Sequence, residues 1–271
     1  MHLHGRSFSF NECNVASLRK LVSPGPLPLL GPQATPARGM CVKEPREAQG
    51  GGRSGAIKSS TAARVARTAA VLVPLCNRDG VASMLFTVRT SEVSTHKGQV
   101  SFPGGHVEPG EGPVEAALRE TEEEIGTGLG SMEILGTCQT LPAVTGTLVT
   151  PVLAFVEGDV GQRLSDLEVN PAEVYGPSGG IFFSVQQVDS VFTLSVRELL
   201  DPAFRQMDDL GPRGRVPAFT AGPARVWGLT AMIIDGVLRN AVVPVLGGGK
   251  TGSETKDSTG ATPGDINVSS L

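Results

Sequence analysis

The segment between positions 105 and 126 brings together residue types that do chemistry as a group. Gly105 is followed by five residues and Glu111, and seven residues later by Arg119-Glu120-Thr121-Glu122-Glu123-Glu124-Ile125-Gly126. Side chains three and four apart share one face of a helix. Glu120, Glu123 and Glu124 therefore stand together, while Val114, Ala117, Leu118, Thr121 and Ile125 form the core-facing stripe and Glu122 points to solvent. Like charges at i,i+4 cost about 0.2–0.5 kcal/mol per exposed pair. A hard divalent cation relieves that repulsion: Mg2+ or Mn2+ takes oxygen ligands and keeps waters and substrate phosphate oxygens in its shell. A diphosphate substrate suits such a centre, because the metal neutralises charge, polarises phosphorus and lowers the pKa of an attacking water. The plain alternative is a solvated glutamate face with Arg119 as salt-bridge decoration. Pro103-Gly104-Gly105 ahead of the helix shifts the balance, since backbone without side chains approaches a ligand closely and the Gly105 carbonyl can join a metal shell.

These residues need a scaffold. Ala70–Leu75 reads as a buried strand and Met84–Val88 as its hairpin partner, with the turn at Asn77-Arg78-Asp79-Gly80. A glycine-punctuated loop runs from Lys97 to Gly112. A helix follows over Pro113–Ile125, with proline in its first turn and Gly126 at its stop. Further strands are expected at Glu133–Thr140, Thr147–Val156 and Val188–Leu194, and a short helix at Val196–Leu200. A last helix spans Arg225–Arg239, with Val226, Leu229, Ile233 and Val237 on one stripe.

The 271 residues suffice for one large domain or two small ones. Residues 1–70 hold ten basic and three acidic residues, and the remainder thirteen and twenty-four. A basic leader on an acidic body points to targeting, and the acidic body argues against nucleic acid as a partner. Residues 1–65 lack periodicity and read as a disordered leader, with the composition of an organelle transit peptide for a mitochondrion or plastid. Residues 66–246 read as the catalytic domain and 247–271 as a disordered tail. The closing Ser269-Ser270-Leu271 departs from a peroxisomal Ser-Lys-Leu address at its middle position. No uninterrupted apolar run reaches the length of a membrane span. Cys13, Cys41, Cys76 and Cys138 form no CxxC pair and no zinc spacing, and read as free thiols.

The order glycine, five residues, glutamate, seven residues, Arg-Glu-x-x-Glu-Glu-x-Gly resembles the Nudix box, with Thr121 and Thr127 standing where that family prefers aliphatic residues. The resemblance implies an α/β fold, the Nudix α/β/α sandwich with a mixed β-sheet between helices. It implies metal binding by Glu120, Glu123 and Glu124, with one of these or a later glutamate as general base. Glu123, Glu120 and Arg119 are the catalytic candidates; Arg119 and Glu111 would orient the helix and its carboxylates.

A second signature precedes the box. Leu85-Phe86-Thr87-Val88-Arg89-Thr90 and Gly98-Gln99-Val100-Ser101-Phe102-Pro103-Gly104-Gly105 resemble the segment that marks coenzyme A diphosphatases among Nudix hydrolases, with Ser94 where an arginine is often found. Asn170-Pro171-Ala172-Glu173-Val174 and Arg225–Ala231 are similar to that family too. The implied reaction is cleavage of coenzyme A or an acyl derivative to 3′,5′-ADP and 4′-phosphopantetheine or its acyl form. Arg89, His96 and Lys97 are the candidate phosphate contacts, and Glu173 is a candidate later base or ligand. Residues 174–187 read as an insertion, and the codons possible at its ends are compatible with a retained intron. Other readings are a Nudix enzyme acting on ADP-ribose, a dinucleotide or a nucleoside triphosphate, and a noncatalytic nucleotide-binding module.

Overall fold

A computed structural model describes residues 8–23, 25–30, 67–89, 99–166, 173–175, 181–183, 188–209 and 214–247. His96, Lys97, Ser94, Cys41 and the tail from 248 lie outside these residues. Of the expected insertion, only Val174–Tyr175 and Ile181–Phe183 fall within them.

The chain opens with helix α1 (Glu12–Val22). Strands β1 (Thr68–Arg78) and β2 (Val81–Arg89) form the expected hairpin, followed by the short β3 (Val100–Ser101) and β4 (Gly104–His106). Helix α2 (Pro113–Ile125) comes next, then β5 (Met132–Thr137), β6 (Leu141–Pro142), β7 (Leu148–Asp159) and helix α3 (Gly161–Asp166). The second half holds β8 (Glu173–Tyr175), β9 (Ile181–Phe183), β10 (Val188–Ser195), α4 (Val196–Leu200), β11 (Arg205–Asp209) and β12 (Arg215–Phe219). It closes with α5 (Gly228–Val237), a π-helical turn over Leu238–Val242 and α6 (Val243–Gly247).

The main sheet runs β10-β2-β1-β7-β5, with β3 on β2, β4 on β1 and β6 on β7. It is mixed: β1 pairs parallel with β7 and antiparallel with β2 and β4. Successive residues of a strand face opposite sides, so a central strand covered on both faces is apolar throughout. In β1, Ala70 and Leu72 share a core with Ala116 and Ala117 of α2 and with Val152 and Ala154 of β7. Val73 and Leu75 belong to the core on the other face, with Leu153, Phe86 and the α5 residues Ile233, Ile234 and Val237. The sheet thus lies between helices, as the family resemblance implied. The helical run Gly228–Gly247 is long and apolar enough to cross a membrane by length and composition alone. Ala231, Ile233, Ile234, Val237 and Val242 are buried in the domain core, which is what makes that helix apolar.

The β1–β2 hairpin turns at Asp79 (φ 52°) and Gly80 (φ 74°), the left-handed pair that a two-residue turn between twisted strands requires. The Asp159 carboxylate at the end of β7 accepts hydrogen bonds from the amides of Asp79 (3.0 Å), Gly80 (2.7 Å) and Gly161 (2.8 Å).

Two expectations need correction, and one element is new. The leader is not disordered throughout: residues 8–23 and 25–30 are ordered, and Leu18, Val22, Leu27 and Leu29 are buried in the main core. The apolar positions of α1 are spaced for one buried stripe, but Arg19, Lys20 and the following prolines give the sequence the look of a transit peptide. The last helix starts at Gly228, three residues late, because Val226 pairs with Phe219 as a β-bridge. The β11–β12 hairpin went unforeseen, since Arg205-Gln206-Met207-Asp208-Asp209 has no apolar alternation.

Candidate active site

Helix α2 begins at Pro113 behind an extended Gly112 and ends at Gly126 (φ 80°), whose amide donates to the Glu122 carbonyl. Ala116, Ala117 and Thr121 are buried against the sheet. Thr121 tolerates that burial because its hydroxyl donates to the Ala117 carbonyl at 2.6 Å. Packing of this stripe fixes the rotation of the helix and so turns Glu120 and Glu124 towards the glycine loop, with Glu123 beside them against Arg119.

The loop is held by the sheet. Gly104 and Gly105 pair with Val71 and Ala70 of β1. Gly104 has φ 148°, and a methyl group there would lie 2.3 Å from the Ala70 carbonyl oxygen, so backbone packs on backbone at this point. At Gly105 the neighbour is different: a methyl group would meet the Glu120 carboxylate at 2.3 Å. Glu120 therefore occupies the space that a side chain at 105 would fill. Glu124 reaches the same loop and accepts a hydrogen bond from the Gly104 amide at 3.1 Å. Glu123 is more open, with 60% of its side chain exposed.

Arg119 ties these groups together. Its guanidinium donates to Glu111 at 2.8 Å, to Glu120 at 3.2 Å, to Glu123 at 3.2 Å and to the His106 carbonyl at 3.1 Å. A planar five-donor fork suits this role. The Arg119 hydrogen bond is the main reason the Glu111 carboxyl is held below its ordinary range, and the Glu108 amide adds to it. Glu124 departs in the other direction. Burial pushes its carboxyl up to about 7, with the neighbouring charges of Glu120 and Glu123 adding, against the opposing pull of the Gly104 amide and Arg89.

Whether a divalent cation fits can be judged from these contacts. The donors are of the right kind: carboxylate oxygens crowded on one face, beside a backbone cradle that admits no side chain. They are not gathered around one point, and among the described residues no group of three or more His, Cys, Asp or Glu is arranged to hold a metal ion. Arg119 supplies the compensating positive charge instead, drawing Glu120 and Glu123 to itself. The residues fit a cation in chemistry, with a reorientation of Glu120 and Glu123 needed to bind one.

Of the residues singled out from sequence, Glu120, Glu123, Glu124, Arg119 and Gly105 lie together. Arg89 ends β2, with its amide bonded to the Gln99 carbonyl at 3.0 Å, and its charge acts on Glu124. His96 and Lys97 are outside the described residues. Glu173 opens β8, paired with Phe183, and its side chain is likewise outside them. Sequence reasoning missed Gly104 as the donor that holds Glu124; the Pro103-Gly104-Gly105 run was the available signal.

Comparison with known proteins bears on the family of the chain. The NUDIX domain model matches residues 66–198. The chain is 37% identical over 178 residues to the mitochondrial coenzyme A diphosphatase NUDT8 of Mus musculus, covering 63% of this chain and 76% of that protein. It is 35% identical to the Homo sapiens protein of the same description, covering 64% and 68%. Nudix hydrolase 3 of Caenorhabditis elegans is 31% identical, covering 62% and 70%. Among solved structures, a MutT/nudix family protein from Enterococcus faecalis is similar with a TM-score of 0.38 at 18% identity, covering 67% of this chain and 68% of that one.

Proposed function

Because the chain belongs to the Nudix hydrolase family, we propose that it hydrolyses the diphosphate bond of coenzyme A or an acyl-coenzyme A, releasing 3′,5′-ADP and 4′-phosphopantetheine or its acyl form. The observation that supports the reaction class is the placement of Glu120 and Glu124 against the backbone of Gly105 and Gly104, with Arg119 bonded to Glu120 and Glu123. The substrate reading rests on the Leu85–Gly105 signature and on relatives named as coenzyme A diphosphatases.

In this reading Glu120, Glu123 and Glu124, with the Gly105 carbonyl, would hold Mg2+ or Mn2+. When bound, the ion neutralises diphosphate charge and lowers the pKa of the attacking water. One of the helix glutamates, or Glu173 from β8, takes the proton of the attacking water as its oxygen adds to phosphorus. The bridging P–O bond breaks, and the departing phosphate leaves as an anion. Arg119 keeps Glu120 and Glu123 within reach of the glycine loop while the site is free of substrate, and Arg89, His96 and Lys97 bind phosphate oxygens. A mitochondrial location is part of the proposal, supported by the names of the mouse and human relatives and by the basic excess of the first 70 residues.

The test is turnover of coenzyme A, ADP-ribose and NADH side by side, each with Mg2+ and with EDTA. The proposal expects metal-dependent turnover with coenzyme A preferred by at least about tenfold in kcat/KM, a transition-state difference of about 1.4 kcal/mol. Preference for ADP-ribose or NADH would replace the substrate, and absence of metal-dependent turnover of all three would replace the activity with nucleotide binding.

A further inference from the structure

The segment from Phe8 to Leu30 lies outside the matched family region and within the basic stretch that reads as a leader. Its packing is that of a structural element. Phe10, Val15, Leu18, Val22, Leu27 and Leu29 are each no more than 6% exposed and belong to the same core as β1, β2 and α5. Asn11 caps α1 through the Asn14 amide at 2.9 Å.

The domain meets this segment with groups placed for it. Asn77 in β1 bonds Phe10 twice, accepting from its amide and donating to its carbonyl, both at 2.8 Å. Leu27 bonds alongside the end of β5, donating to the Thr137 carbonyl at 3.0 Å and accepting from the Gln139 amide at 2.8 Å. The Asn240 side-chain amide donates to the Pro28 carbonyl at 2.6 Å. Gly236 is the most telling. It sits in the last turn of α5, inside a helical run that continues to Gly247, where glycine ordinarily weakens a helix, and a methyl group there would lie 2.7 Å from the Leu29 carbonyl oxygen and 2.8 Å from its α-carbon. The helix lacks a side chain at the place where the N-terminal backbone crosses it.

We infer that Phe8–Leu30 is a permanent strap of the catalytic domain, so that proteolytic processing of any targeting leader must stop short of Phe8. The inference rests on packing alone and does not depend on the substrate. A removable presequence would leave Leu18, Leu27 and Leu29 with no fixed partners and would uncover the apolar residues of α5 and β5 beneath them.

The direction of one substitution separates the two cases. Gly236→Ala in a helix whose face is open raises stability, because alanine is the better helix former. Beneath a strap it must displace Leu29. The full-length Gly236→Ala variant is therefore expected to melt at least about 4 °C below the parent chain, and Leu18→Ala with Leu29→Ala by roughly 10 °C. Deletion of residues 1–7 is expected to leave the melting temperature unchanged. A Gly236→Ala chain that melts at or above the parent temperature would overturn the inference. Protein recovered from cells expressing the full chain gives the second readout. Mass spectrometry is expected to place its N-terminus at or before Phe8, and a first residue beyond Phe8 would overturn the inference independently.

Discussion

The Glu120 carboxylate rests on the α-carbon of Gly105, in the volume that any side chain at 105 would claim. Gly105→Ala therefore has two consequences that separate cleanly. The neighbour to be moved is the flexible end of a side chain, so the melting temperature should change by less than about 2 °C. The carboxylate must leave its place, and kcat/KM should fall by about 100-fold or more, or roughly 2.7 kcal/mol of transition-state stabilisation. Unchanged kcat/KM would remove Gly105 from the site.

The adjacent Gly104 gives the opposite pattern. Its φ of 148° and the 2.3 Å approach to the Ala70 carbonyl involve backbone on both sides. Gly104→Ala should cost about 2 kcal/mol or more of folding stability. Chemical denaturation checks this, and a stability equal to the parent would contradict the packing.

Arg119 bonds three carboxylates and a carbonyl, and no point charge reproduces that fork. Arg119→Lys should lower kcat/KM by about 100-fold while shifting the melting temperature only slightly, since the group is at the surface and water screens its ion pairs. Full activity in the lysine variant would reduce Arg119 to a generic charge.

Much of this site was legible because its spacing repeats with the helix. The positions of Glu120, Glu123 and Glu124 follow from the 3.6-residue period, and the limits of α2 from Pro113 and Gly126. What spacing could not convey is how unlike those glutamates are. Glu124 is half-buried against Gly104 while Glu123 is mostly exposed, a difference set by the sheet behind the loop and not by the helix. The same limit explains the strap. Leu18 and Leu29 are apolar positions in a proline-interrupted, basic stretch, and only the folded core they join, with Leu135 of β5 and Ile233 of α5, gives them partners.

Asp159 offers a pH test. Its burial alone would raise its pKa, but the amides of Gly80, Gly161 and Asp79 outweigh that and hold the carboxyl below its ordinary value. A carboxyl depressed in the folded state adds stability above its unfolded pKa, and that contribution disappears as pH falls through the folded pKa. Asp159→Asn should therefore lower stability modestly at pH 7, since water screens this exposed carboxylate, with the gap from the parent narrowing as pH falls through the carboxyl's folded range. Denaturant midpoints at several pH values measure it, and a gap independent of pH would contradict the assignment.

The three cysteines among the described residues divide by burial. Burial pushes the Cys76 thiol up to about 12, with the charge of Asp159 adding, and pushes Cys138 up to about 12 as well, whereas Cys13 is exposed. An alkylating reagent at pH 8 should modify Cys13 in the folded protein and reach Cys76 and Cys138 only after unfolding. Peptide mapping reads this out, and rapid native labelling of Cys76 would contradict the core packing.

The central claim is that the α2 carboxylates hydrolyse a coenzyme A diphosphate with a divalent cation. It is tested most directly by identifying the products formed from coenzyme A in Mg2+ by the parent chain and by Glu123→Gln. The account predicts 3′,5′-ADP and 4′-phosphopantetheine from the parent and a loss of rate of about a thousandfold or more in the variant, about 4 kcal/mol in the barrier. Retention of the parent rate by Glu123→Gln, or release of products other than these two, would contradict it.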